Sequence, residues 1–184
     1  MGVSSILGLG LLAVLGYGVF TYNSLVKRRA MVNEGFSGID VQLKRRSDLI
    51  PRLVEVTKAY MQHEREIFHT VTAMRTQAQG AAAPAERFDA ESKLGQALTR
   101  YMAVAENYPD LKADTNFLDL QNQLSETENQ IQFARRYYNG AVRDLNTLIQ
   151  QFPSNVIARA MKFEERIYFS TDSDAERATP NVSL

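Results

Sequence analysis

The chain contains no cysteine. Disulfides, thiolate metal sites and a cysteine nucleophile are therefore excluded, and so is a lipoprotein anchor. Tryptophan is also absent, and only five prolines interrupt 184 residues. With proline so sparse outside segment ends, the sequence reads as all-helical. Neither sign of charge is in excess: 21 Lys plus Arg face 21 Asp plus Glu. No global field attracts nucleic acid. Charged side chains are missing altogether from the first 26 residues, after which Lys27, Arg28 and Arg29 follow at once.

Within that charge-free stretch, Val3 to Tyr22 is almost wholly apolar, interrupted mainly by Gly8, Gly10, Gly16 and Gly18. Twenty helical residues span about 30 Å, the thickness of a bilayer's hydrocarbon core. A cleaved secretory signal needs a basic start and a small-residue cleavage site. Met1 to Ser5 carry no Lys or Arg, and Phe20-Thr21-Tyr22-Asn23 is not an A-x-A pattern. Residues 1–22 are thus expected to be a retained transmembrane anchor. Ser4 and Gly8 form one small-x-x-x-small pair, a weak dimerisation signal. The basic flank at Lys27, Arg28 and Arg29 predicts an outside N-terminus and a cytoplasmic body.

Beyond the anchor, residues 23–169 are long enough for one domain with its own core. Val32, Phe36, Ile39 and Leu43 repeat at three and four, the spacing of one helical face. Ser47 and Asp48 are good N-cap residues and Pro51 fits a first turn, so a helix boundary is expected near 47, with a kinked continuous helix as the alternative. The second helix is then expected to run to about Gln79, with Ile50, Leu53, Thr57, Tyr60, Met61, Ile67, Phe68 and Val71 in its stripe. Gly80 to Pro84 reads as a loop. A third helix covers about 85–107. The fourth, about 114–151, has a near-heptad seam from Phe117 through Leu124, Ile131, Tyr138 and Leu145 to Phe152, with Asp114 or Thr115 as its cap. A short amphipathic segment with Val156, Ile157, Ala160, Met161 and Phe163 comes next. Residues 170–184 form an acidic tail expected to be disordered. Four amphipathic helices with short links predict an antiparallel four-helix bundle of long helices.

Four charged residues fall in phase with the apolar stripes: Arg46, Glu64, Glu128 and Arg135. A charge without a partner out of water costs several kcal/mol. Such residues either snorkel at the stripe's edge or form a buried Glu–Arg network that fixes helix register. The sequence leaves both open, and neither is catalysis.

Signatures of chemistry are missing. His63 and Glu64 begin an H-E-x-x-H pattern, but Ile67 stands where its second histidine is required, and His69 lies six residues on, facing another side. Glu66 and His69 make a single E-x-x-H, whereas a di-iron bundle needs two. Both histidines are expected to be solvated. No phosphate-cradling loop, dinucleotide fingerprint or nucleophile elbow occurs. No catalytic, cofactor-binding or metal-ligating residue is assigned, and no cofactor is expected.

Several segments resemble the LemA family. Tyr22-Asn23-Ser24-Leu25-Val26 is similar to its opening. So are Ile39 to Arg46, Asp48-Leu49-Ile50-Pro51 and Leu53-Val54-Glu55. Glu106 to Lys112 resembles the family's third-helix terminus. Glu126 to Ile131, Ala134 to Asn139, Val142, Asn146 and Phe152-Pro153-Ser154-Asn155 resemble its long fourth helix and the end of that helix. Arg52 departs from the pattern, standing where Asn is expected. The resemblance implies a bacterial membrane protein with an N-terminal helix and a four-helix bundle. It implies no established enzyme activity, and some relatives are tied to internal membrane compartments.

Two functions are compatible with these features. One is a non-enzymatic, membrane-tethered scaffold at the bacterial cytoplasmic (inner) membrane. It would be a single-pass homo-oligomer that meets the lipid bilayer through its N-terminal helix and binds unidentified protein partners, but not nucleic acid. The other is a cofactor- or ligand-binding bundle with unrecognised enzymatic activity. The absence of chemical signatures favours the first.

Overall fold

The computed structural model describes residues 3–169 and contains six helices: α1 Val3–Lys58, α2 Arg65–Gly80, α3 Pro84–Ala105, α4 Pro109–Lys112, α5 Thr115–Gln150 and α6 Ser154–Ala160. Among the described residues there is no strand. The expected acidic tail at 170–184 lies outside them.

The boundary expected near residue 47 does not exist, because α1 runs through Pro51. Proline has no N–H, so the carbonyl of Ser47, four residues earlier, loses its helical donor. Arg75 of α2 replaces it: its Nε donates to the Ser47 carbonyl at 2.8 Å. Gln79 adds a bond from Nε2 to the Ser47 hydroxyl at 3.0 Å. The local signals for a start are real, but a cation from a neighbouring helix satisfies the group that proline orphans.

The second helix is instead interrupted at residues 59–64. The amides of Tyr60 and Met61 both return to the Thr57 carbonyl, and the Glu64 amide to Met61. No glycine or proline marks this break. Side-chain contacts hold it open: Tyr60 donates to Asp114 at 3.0 Å, and Tyr108 donates to Glu64 at 2.9 Å. Met61 is fully buried in the turn.

The chain forms two compact units. The first comprises α1 up to Asp40 together with Gln132–Tyr168. Here α1 and α5 run antiparallel. An added Cβ at Gly35 would lie 3.1 Å from the Tyr138 Cα and 3.0 Å from the Tyr137 ring. Seven residues earlier, Arg28 pairs with Asp144 at 3.1 Å. Leu25, Val32, Ile39, Val142 and Leu145 are buried. After α6, Lys162 takes a left-handed conformation with φ 55°, which lets the Phe163 amide reach back to the Ala158 carbonyl. The following extended segment is held by Asn146, whose side-chain amide both donates to the Arg166 carbonyl and accepts from its N–H. Tyr138 donates to the Ile167 carbonyl. Phe152, expected at the end of the α5 seam, is instead 78% exposed, because α5 stops at Gln150 and the ring leaves the helical phase.

The second unit comprises Val41–Ile131 with Phe169. Leu49, Ile50 and Leu53 of α1 form one core with Val71, Leu94, Leu98, Tyr101, Leu111, Phe117, Leu120 and Leu124. Asp114 caps α5, its carboxylate accepting from the amides of Asn116 and Phe117. The Phe117 amide first, then the Tyr60 hydroxyl and the Asn116 amide, hold the Asp114 carboxyl below its ordinary pKa.

Candidate functional site

The most highly organised polar group in the second unit centres on Arg46 of α1, which is only 2% exposed. Its Nη2 donates to the Glu91 carboxylate of α3 at 2.6 Å and to the Glu91 main-chain carbonyl at 3.0 Å. Its Nη1 donates to the Glu128 carboxylate of α5 at 2.9 Å. Glu91 is buried, whereas the Glu128 side chain is 44% exposed. One guanidinium thus ties three helices together, its planar fork offering donors in two directions. Its Nε is buried without a hydrogen-bond partner among the described residues.

This is the buried-network alternative for Arg46 and Glu128, with Glu91 as a third member that periodicity does not single out. Glu91 sits one residue from Ala90 and three from Leu94, both buried, and that phase is the only sequence signal for it. The other two in-phase charges go elsewhere. Glu64 accepts from Tyr108 at the α1–α2 turn. Arg135 is buried on the part of α5 that belongs to the first unit.

A second polar cluster lies around the end of α1. The Thr57 hydroxyl donates to the Leu53 carbonyl at 2.7 Å and bonds the Tyr101 hydroxyl. With its one proton committed to Leu53, Thr57 accepts from Tyr101. Both residues are fully buried. Burial pushes the Tyr101 phenol up to about 12. Tyr60 and Tyr108 are also raised, first by hydrogen bonds to Asp114 and Glu64 respectively.

The Arg46 group has one cation and three acceptors, two carboxylates and a carbonyl, with no nucleophile beside a base. Among the described residues no three His, Asp or Glu side chains converge to hold a metal. His63 and His69 are exposed. His69 borders an open depression of about 520 Å³ with Val54, Lys58, Arg65, Phe68 and Thr72. These residues include cations and apolar groups but no carboxylate to serve as its acid–base partner.

The sequence profile of the LemA family matches residues 35–184. The chain belongs to the LemA family. Among its relatives, magnetosome protein MamQ 2 of Paramagnetospirillum magneticum is 25% identical over 187 residues, covering 88% of this chain and 69% of the relative. Magnetosome protein MamQ of Magnetospirillum gryphiswaldense is 23% identical, covering 95% and 74%. Protein LemA of Metamycoplasma hominis is 24% identical, covering 92% and 80%. Arg46, Glu91 and Glu128 all fall within the part of this LemA-family chain that the profile matches. The apolar start of α1 precedes it.

Proposed function

We propose that this LemA-family chain is a single-pass membrane protein whose helical body is a non-enzymatic scaffold, organising copies of itself or other proteins at the bilayer. One observation carries the reading. The apolar start of α1 is exposed over Leu7–Phe20, apart from the partly covered Gly18, yet the same helix continues into both cores. By length and composition, α1 is the one described helix able to cross a membrane. Leaving those fourteen residues in water forgoes about 25 cal/mol for each Å² of apolar surface that a bilayer would cover. Relatives named as magnetosome proteins support the reading.

In this proposal α1, α2, α3 and α5 form an antiparallel four-helix bundle, and Lys27, Arg28 and Arg29 keep it on the cytoplasmic side of the bacterial inner membrane. Confinement in one plane raises the effective concentration of neighbouring bodies, so weak contacts between copies suffice for assembly. The test compares the full chain in nanodiscs with a form lacking residues 1–19, by light scattering and by cross-linking in cells. The full chain is expected to be a homo-oligomer and the shortened form a monomer. A full chain that stays monomeric and cross-links to nothing would remove the scaffold. Stoichiometric metal or a chromophore in the purified protein would favour a cofactor-binding bundle instead.

A further inference from the structure

The first unit has an apolar edge that its own core does not use. Phe152 is 78%, Val156 60% and Met161 57% exposed. Their position along α1 follows from the antiparallel register. Gly35 faces Tyr138 and Arg28 faces Asp144. Continuing the same register to Gln150, the last residue of α5, reaches Asn23, and Phe152 follows two residues later. Phe163 fixes the other end of this segment, packing edge-on to Tyr22 at 6.1 Å with the Arg29 guanidinium 5.1 Å from its ring centre. Thr21 is the first buried side chain of α1 among those described. The ends of this segment therefore sit near the level where α1 changes from bare apolar helix to packed core, with Val156 and Met161 on the chain between them.

Cations outnumber acids at this end: Lys27, Arg28, Arg29, Arg159, Lys162 and Arg166 against Asp144, Glu164 and Glu165. Residues 1–33 and 145–163 contain no Asp or Glu. They carry Lys27, Arg28, Arg29, Arg159 and Lys162. An exposed apolar edge in net basic surroundings, beside the mouth of a membrane span, has the chemistry of an interfacial membrane contact.

We propose that residues 152–162 form a second membrane contact: Phe152, Val156 and Met161 enter the interfacial layer beside α1, and Arg159 and Lys162 meet anionic lipid headgroups. The contact rests on the reading of α1 as a membrane span, since that places the bilayer surface at Thr21. It would hold the body against the membrane at two points instead of one. Apolar side chains in such contacts lie about 5–10 Å into the headgroup and acyl boundary.

The absence of native cysteine allows a direct test on the full chain. Single cysteines are introduced by Phe152→Cys, Val156→Cys, Leu11→Cys or Gly38→Cys and labelled with an environment-sensitive fluorophore. The proteins are reconstituted into vesicles of phosphatidylcholine and phosphatidylglycerol. Gly38 is exposed and about 26 Å along α1 from Thr21, so it reports water. Labels at 152 and 156 are expected to lose most of their emission to lipid-borne nitroxides placed high on the acyl chain and to resist aqueous iodide. The label at 38 is expected to do the reverse. Arg159→Gln with Lys162→Gln should reduce lipid quenching at 156 in these vesicles but not in pure phosphatidylcholine; equal effects in both would overturn the headgroup contact. If 152 and 156 behave like 38 while 11 is quenched from the lipid, the span stands and the second contact is wrong. If 11 is not quenched from the lipid, the span itself fails and the contact falls with it. Shielding of 152 and 156 from both quenchers would mean that protein covers the edge, which also overturns the proposal.

Discussion

Arg46 shows how much a single charge commits the fold. Removing it by Arg46→Ala would leave Glu91 buried beside its lost cation, and the predicted cost is about 3–5 kcal/mol of stability by denaturant titration. Glu128→Gln should cost less than about 1 kcal/mol, because that end of the cluster is partly solvated. If both substitutions cost the same, the cluster does not act through burial. Arg46 and Glu128 were legible as charges in phase with apolar neighbours. Glu91 was not, because Asp89, Ser92 and Lys93 around it make an ordinary polar helix face; only the tertiary position of Arg46 selects it. Tyr101 gives a pH test at the same scale. Its phenol titrates near 10 when unfolded and near 12 when folded. A raised folded value means that its contribution is complete below pH 10 and is lost as pH rises through 12. Tyr101→Phe should therefore flatten the fall in melting temperature across that window. It should not abolish the fall, since Tyr60, Tyr108 and Tyr138 are also raised. An unchanged alkaline slope would mean that Tyr101 is not linked to folding.

For the helices, periodicity located most of the buried faces but misjudged two ends for opposite reasons. At residue 47 the local signals for a cap and first turn were strong, yet Arg75 and Gln79 from α2 satisfy the groups around Pro51 and the helix continues. At residues 59–64 nothing local demands a break, yet hydrogen bonds to Asp114 and from Tyr108 stabilise one. Long-range polar contacts set both ends, and a pattern of spacing cannot contain them. The exchange of donors at Pro51 can be measured. Arg75→Ala should destabilise by about 1–2 kcal/mol, since it leaves the part-buried Ser47 carbonyl without its charged donor. In a Pro51→Ala background the restored helical N–H reaches the same carbonyl, so Arg75→Ala should cost less there. A double-mutant cycle measures the difference. Strict additivity would show that Arg75 does not substitute for the missing bond.

Across the whole molecule, the apolar span and the folded core share one helix and overlap at Thr21 and Tyr22. Composition placed the end of the anchor at residue 22, the last of the apolar run. Burial begins one residue before that, at Thr21, and Leu25 has no exposed surface at all. Hydropathy registers only that a residue is apolar, and cannot tell a side chain facing lipid from one facing α5. The overlap decides what a truncation does. A form lacking residues 1–19 keeps Thr21 and Leu25 and is predicted to be soluble, helical and cooperative in a thermal melt. A form lacking residues 1–25 also loses the packing of Leu25, which opens a cavity in the first unit. Loss of a fully buried leucine costs about 2–5 kcal/mol. The two forms differ by only six residues, and both lack most of the apolar run. A large gap between their melting temperatures would therefore report packing rather than hydrophobicity. Identical melts would show that α1 before Val26 adds nothing to the core, and that anchor and body are separable where composition first divided them.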